Sequence, residues 1–234
     1  MRHFRRWKNL ACLHSAWRPG SCLWPTLVAL ALLGAGSLPL PAWDAEPMQR
    51  AARRLGPSAE AALPPLQALL REAATLGDPE RLELVNRFFN ERIRFAPDTA
   101  VWGQEDYWAS PLETLSRGRG DCEDYAIAKY ASLLAAGVLP QRLRLVYVRA
   151  QVGREAQAHL VLAYQASPAD EPLILDNLKA DVLPATERPD LTPVFSFNSD
   201  GLWQGNGGAP AGNPLERLSP WRSAWQRTLA EGFR

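Results

Sequence analysis

Cysteine and histidine are scarce in this chain. Three of each occur among 234 residues: Cys12, Cys22 and Cys122, and His3, His14 and His159. With the first 42 residues set aside, for the reason given below, one thiol and one imidazole remain. A structural zinc site needs four such ligands, so it is excluded. A single thiol also excludes an internal disulfide. Long hydrophobic runs are missing as well. The apolar stretch 26–38 is shorter than the ~20 residues a membrane span requires. Acid is absent from residues 1–42, whereas Arg2, Arg5, Arg6, Lys8 and Arg18 fall there, so the rest of the chain is mildly acidic. No basic patch or stripe is present to hold nucleic acid.

The basic start, the apolar run bracketed by Pro25 and Pro39, and the small Ala42 before Trp43-Asp44 predict an export signal over residues 1–42, with an uncleaved anchor as the alternative. A chain of this length accommodates one domain with a proper core. Residues 43–77, rich in Ala and Leu, predict a helical extension of one or two helices on the outside, ahead of a main domain over 78–234.

Asp78-Pro79-Glu80 reads as a helix start. Leu82, Val85, Phe89 and Ile93 share one face, which predicts an amphipathic core helix over 79–92. Residues 94–109 are irregular and aromatic. Ser110-Pro111 starts a short helix to about Ser116. After the turn Gly118-Arg119-Gly120, Asp121 is placed to cap a helix from Cys122 to about Ala136, closed by Gly137 and Pro140. Strands are predicted from Leu143, from His159 to Tyr164, from Leu173 to Asn177 and around Val194-Phe195. Asn198 to Pro214 is rich in Gly and Asn and reads as mobile. Ser219-Pro220 starts a last helix with Trp221, Trp225 and Leu229 on one face. Helices followed by antiparallel strands predict an α+β fold.

Cys122 at a helix start meets unpaired backbone N–H groups and a helix dipole that favour a thiolate. A hairpin centred near Ser167 and Pro168 places His159 opposite Asp176 and Val161 opposite Ile174 on one face. A carboxylate beside an imidazole fixes its tautomer and stabilises imidazolium. Each residue alone has an ordinary reading: an inert buried thiol, a structural His, an Asp at a strand end. Their conjunction predicts a nucleophile, base and orienter. Trp102 and Trp108 are candidate cleft walls, with plain packing as the other reading.

Three segments carry a family resemblance: Gly120-Asp121-Cys122-Glu123-Asp124-Tyr125-Ala126, Ala158-His159-Leu160-Val161 and Leu175-Asp176-Asn177. They resemble the motifs of the bacterial transglutaminase-like cysteine proteases, and among these the LapG-type periplasmic proteases. Asn86-Arg87-Phe88-Phe89-Asn90 and Asp106-Tyr107-Trp108-Ala109-Ser110-Pro111 add to it, and the likeness runs over about residues 80–205. The resemblance implies a papain-like, transglutaminase-type fold with Cys122, His159 and Asp176 as catalytic residues. It implies cleavage of a large cell-surface adhesin near its N-terminus, after a pair of alanines, with biofilm dispersal as the result. It implies Ca²⁺ dependence, and inhibition by an inner-membrane receptor that senses cyclic-di-GMP. Its calcium residues match Asp121 and Glu123, with Asp124 a weaker match. The charge of Asp121, Glu123 and Asp124 opposes a thiolate at Cys122, and a bound Ca²⁺ removes that conflict. The other reading makes these acids helix caps. A transglutaminase or cell-wall peptide amidase on the same fold, and a non-catalytic periplasmic binding module, remain alternatives.

Overall fold

The computed structural model describes residues 43–205 and 211–234. The expected leader and the middle of the Gly- and Asn-rich segment lie outside the described residues. No helix among the described residues is long and apolar enough to cross a membrane.

The helices come first. α1 (Ala45–Leu55) and α2 (Pro57–Ala73) precede α3 (Asp78–Arg92), where Leu82, Val85, Phe89 and the following Ile93 are buried on one face as their spacing dictates. Asp78 is the first residue of α3 rather than its cap. Its carboxylate takes hydrogen bonds from Arg81, Arg142 and Tyr164, and so ties the helix to the sheet. A two-residue strand, β1 (Arg94–Phe95), and a single helical turn, α4 (Asp98–Val101), order the stretch read as irregular. α5 (Pro111–Arg117) begins with a capping box between Ser110 and Glu113 and ends on Gly118 in the left-handed region, at φ 59°. β2 (Arg119–Gly120) pairs in parallel with β1 and delivers the chain to α6 (Cys122–Ala135), which is buried from Asp124 onward.

A six-stranded antiparallel sheet follows. It consists of β3 (Leu143–Val152), β4 (Glu155–Tyr164), β5 (Leu173–Leu175), β6 (Leu183–Pro184), β7 (Leu191–Phe197) and β8 (Leu202–Gln204), in the spatial order β6-β5-β4-β3-β7-β8. Two short helices, α7 (Pro214–Arg217) and α8 (Ser219–Ala230), complete the chain.

The strands alternate between two apolar faces. Leu145, Leu160, Leu162 and Leu175 meet the helices, while Val146, Val148, Ala150, Val161 and Ile174 form a second cluster on the other side. α1 and α2 belong to the main core: Met48, Leu66 and Leu70 are fully buried in it, and Trp43 bridges to Phe233. On α8, Trp221 and Trp225 are buried as expected, but Leu229 is 46 % exposed. Ala224 and Thr228 take the place expected for it, because the buried stripe follows the Trp221–Tyr130 and Trp225–Tyr130 ring contacts.

Candidate active site

Gly120 is where β2 hands over to α6, and a Cβ at that position would lie 2.5 Å from an Asp124 carboxylate oxygen. The missing side chain lets the acid pack against the turn and sets Cys122 as the first residue of α6. The backbone N–H of Leu160 acts on the Cys122 thiol in the sense that favours its thiolate. The sulfur therefore lies beside β4, one residue from His159.

His159 and Asp176 are together and buried, with Nε2 of the ring 2.7 Å from Asp176 Oδ1. The register that joins them differs from the expected one. Leu162 pairs with Leu175 and Ala163 with Ile174, two residues away from a ladder that sets His159 directly across from Asp176. A two-residue displacement keeps every side chain on its own face, so Asp176, just past the end of β5, reaches the imidazole diagonally. With Nε2 committed to the carboxylate, Nδ1 is the ring nitrogen available as a base.

Each oxygen of Asp176 is occupied. Oδ1 also accepts the backbone N–H of Leu178 at 3.1 Å, and Oδ2 accepts Nη2 of Arg188 at 2.7 Å. Burial alone pushes this acid up. The hydrogen bonds and positive charge of His159 and Arg188 outweigh it and hold Asp176 down at about 2.

The acids around Cys122 divide into two groups. Asp98, Asp121 and Asp124 each present a carboxylate oxygen, all within 4.8 Å of one another. Asp98 Oδ1, Asp121 Oδ1 and Asp124 Oδ2 are buried and without a hydrogen-bond partner. Burial, and then the neighbouring acids, push Asp121 up to about 9 and Asp124 to about 7, and raise Asp98. Asp121 occupies the N-cap position of α6 yet makes no side-chain capping bond; its carboxylate turns to this cluster. Converging oxygens that lack donors fit a hard divalent cation better than they fit one another.

Glu123 is placed differently. Its Oε2 accepts the Cys122 thiol at 2.8 Å, and its charge also raises Asp121. Burial first, and then Glu123, push the thiol well above its ordinary value and hold it protonated.

Trp108 packs in the core, with its ring stacked near Phe197. Trp102 lies against Tyr107 and under the Arg117 guanidinium. Packing is the role these contacts describe. Tyr147 on β3 stacks on Phe195 at 5.0 Å, and its hydroxyl feels the charges of Glu123 and Cys122. Asp98, Arg188 and Tyr147 carried no motif in the sequence; only folding brings them here.

A helix-borne thiol beside a carboxylate-bound imidazole, on an antiparallel sheet, defines a thiol hydrolase of transglutaminase-like architecture. Residues 68–190 match the family of bacterial transglutaminase-like cysteine proteinases (BTLCP), and the chain belongs to that family. The structure of Legionella pneumophila LapG is similar, with 35% identity, a TM-score of 0.68, and coverage of 81% of this chain and 99% of that one. EGTA-treated LapG aligns at 35% identity and TM-score 0.70 over 81% of this chain and 100% of that one. Calcium-bound LapG aligns at 36% and 0.67 over 78% and 97%. A search of curated proteins found no match. The fold is that of the LapG proteases, and the protein is a cysteine protease.

Proposed function

We propose that the protein is a periplasmic cysteine endopeptidase with Cys122 as nucleophile, His159 as general base and Asp176 as the group that orients His159. The observation that carries this is the 2.7 Å contact between His159 and Asp176, next along the strand from the Leu160 N–H that favours the Cys122 thiolate.

The chemistry follows from these positions. His159 Nδ1 takes the thiol proton, and the thiolate attacks a peptide carbonyl carbon. The oxygen that becomes negative faces backbone N–H groups at the start of α6, which lack acceptors within the helix. The C–N bond breaks and His159 returns the proton to the leaving amine. A water, deprotonated by His159, then attacks the thioester; the carboxylic acid departs and the thiol is restored. Asp176 stabilises the imidazolium at both stages. Glu123 must give up its hydrogen bond with Cys122 before the first proton transfer.

The same proposal gives Ca²⁺ to the acids beside the nucleophile. Asp98, Asp121 and Asp124 supply the unpartnered oxygens, and the charge of Glu123 acts on Asp121 beside them. When bound, the cation supplies positive charge that offsets carboxylates otherwise opposed to a thiolate. The likeness to calcium-bound and EGTA-treated LapG supports this reading. Family membership likewise supports a large surface adhesin as substrate, cut near its N-terminus to release it and disperse a biofilm, and an inner-membrane cyclic-di-GMP receptor as inhibitor. The basic and apolar leader over 1–42 supports export.

The test is cleavage of an adhesin's N-terminal fragment by the wild type, by Cys122→Ala and by wild type in a calcium chelator, followed by mass spectrometry of the products. Discrete fragments that vanish in the mutant and under chelation are expected. Cleavage by Cys122→Ala removes the nucleophile from the proposal, and cleavage under chelation removes the cation. A product heavier than the substrate, with loss of ammonia, identifies a cross-linking enzyme instead.

A further inference from the structure

Arg188 is not part of the catalytic chemistry described above, yet it is among the most buried charges in the fold, at 2 % exposure. It follows β6 and ends a helical turn over Ala185–Glu187. Nη2 donates to Asp176 Oδ2 at 2.7 Å and to Asp190 Oδ2 at 2.8 Å, and Nε donates to Asp190 Oδ1 at 3.0 Å. Asp190 thus grips the guanidinium from one side and leaves its Nη2 edge aimed at Asp176. A carboxylate bound only by His159 and the Leu178 N–H can rotate about its Cβ–Cγ bond. One held at both oxygens by donors from different elements cannot.

We infer that Arg188 is the positioning residue of the catalytic apparatus, fixing the plane and the ionised state of Asp176 and through it the orientation of His159. This rests on the triad reading given above. Arg188 touches no reacting atom, so its effect falls on kcat and not on KM.

Arg188 lines a cleft of about 400 Å³ on the sheet face opposite the helices, floored by Val146, Val148, Val161, Ile174 and Leu191. Its Nη1 has no hydrogen-bond partner. Truncation at this position therefore opens a passage from the cleft to Asp176, wide enough for a free guanidinium ion.

The groups that face Asp176 are His159 from β4, Lys129 from α6, the Leu178 N–H and Arg188, with Asp190 behind Arg188. Removal of Arg188 takes away a cation and leaves Asp190 unpaired. Both changes favour protonation of Asp176, so the acid limb of the rate profile moves to higher pH.

The experiment compares the full protein with Arg188→Ala and Arg188→Lys. Two readouts are followed against pH: cleavage of the adhesin fragment, and alkylation of Cys122 by iodoacetamide, which needs no substrate. Arg188→Ala is expected to lower kcat about 100-fold with KM unchanged. Its acid limb should shift upward in both readouts, and tens of millimolar guanidinium should recover part of the loss. Arg188→Lys is expected to fall between, because an ammonium restores charge but not the two-pronged geometry. A folded Arg188→Ala with wild-type kcat overturns the inference. So does a loss of rate with an unmoved acid limb and no guanidinium rescue, which marks a purely structural role. Should Arg188→Ala not fold, the acid limb of Arg188→Lys decides: a shift supports the inference and wild-type behaviour overturns it. If wild type cleaves no adhesin while its alkylation profile still depends on Arg188, the substrate reading fails and the positioning role stands.

Discussion

Lys129 projects from α6 seven residues after Cys122, about two turns along the same face. Its Nζ is buried without a hydrogen-bond partner, 5.5 Å from the centre of the Tyr125 ring. Burial pulls this lysine from 10.5 down to about 7, and the charge of Asp176 works the other way. Between pH 7 and 10.5 the unfolded chain therefore holds a proton that the folded chain has released. Stability rises with pH across that window, and the full cost, on the order of 5 kcal/mol, applies below it. Lys129→Met is expected to raise the melting temperature at pH 7 and to flatten the rise in stability toward pH 10 in urea titrations. A steeper rise or a lower melting temperature would show that buried waters or Asp176 already satisfy the ammonium. The placements that the sequence made legible were those in short motifs: Cys122 at the start of α6, and His159 beside Asp176. Arg188 and Asp98 were illegible for a physical reason. Their role depends on closure of the fold over separations of 12 residues to Asp176 and 23 to Asp121, and neither sits in a periodic or capping pattern of its own.

At the scale of elements, α3, α5 and α6 follow from the sequence to within a residue or two because their signals are local. Apolar spacing gave the buried face of α3, Ser110 with Glu113 gave the start of α5, and Gly137 gave the end of α6. Strand pairing was harder. The hairpin carrying His159 and Asp176 was read with the right faces but two residues off, because five polar or small residues near its tip leave the register to packing further along. The 2.7 Å contact survives, since the alternation of faces repeats every two residues. Asp121 shows the opposite failure: its cap position was legible, while the gathering of its carboxylate with Asp98 and Asp124 was not. A short β1–β2 pair, Arg94 with Arg119 and Phe95 with Gly120, brings α4 and its Asp98 alongside the start of α6.

Taken whole, the molecule gathers three segments onto one acidic cluster, with Asp98 from α4, Asp121 and Asp124 at α6, and the segment 107–109 donating backbone N–H groups to the same carboxylates. A cation held there links these elements and binds only the folded chain. At a hundredfold excess over Kd, Ca²⁺ should raise the melting temperature by roughly 5–10 °C, and EGTA should reverse the gain. Asp98→Asn should remove most of the effect; a calcium response that Asp98→Asn leaves intact would move the site away from this cluster. Next to that segment, Glu231 accepts Ser110 Oγ and the Leu112 N–H, while Arg227 reaches Glu113, so the C-terminal helix is clamped to α5.

The bridge between Trp43 and Phe233, reinforced by the Asp44 N–H donating to the Gly232 carbonyl at 2.8 Å, brings the first and last described residues side by side. In the language of connectivity, the fold is almost a closed ring. A short linker from Arg234 to Trp43 should therefore yield a circularly permuted protease, with new ends at the exposed turn between Ser167 and Pro168. Such a chain separates His159 and Asp176 into its two extremities. Retained cleavage would show that sheet pairing and Arg188, not the covalent loop between them, keep the imidazole and the carboxylate in register.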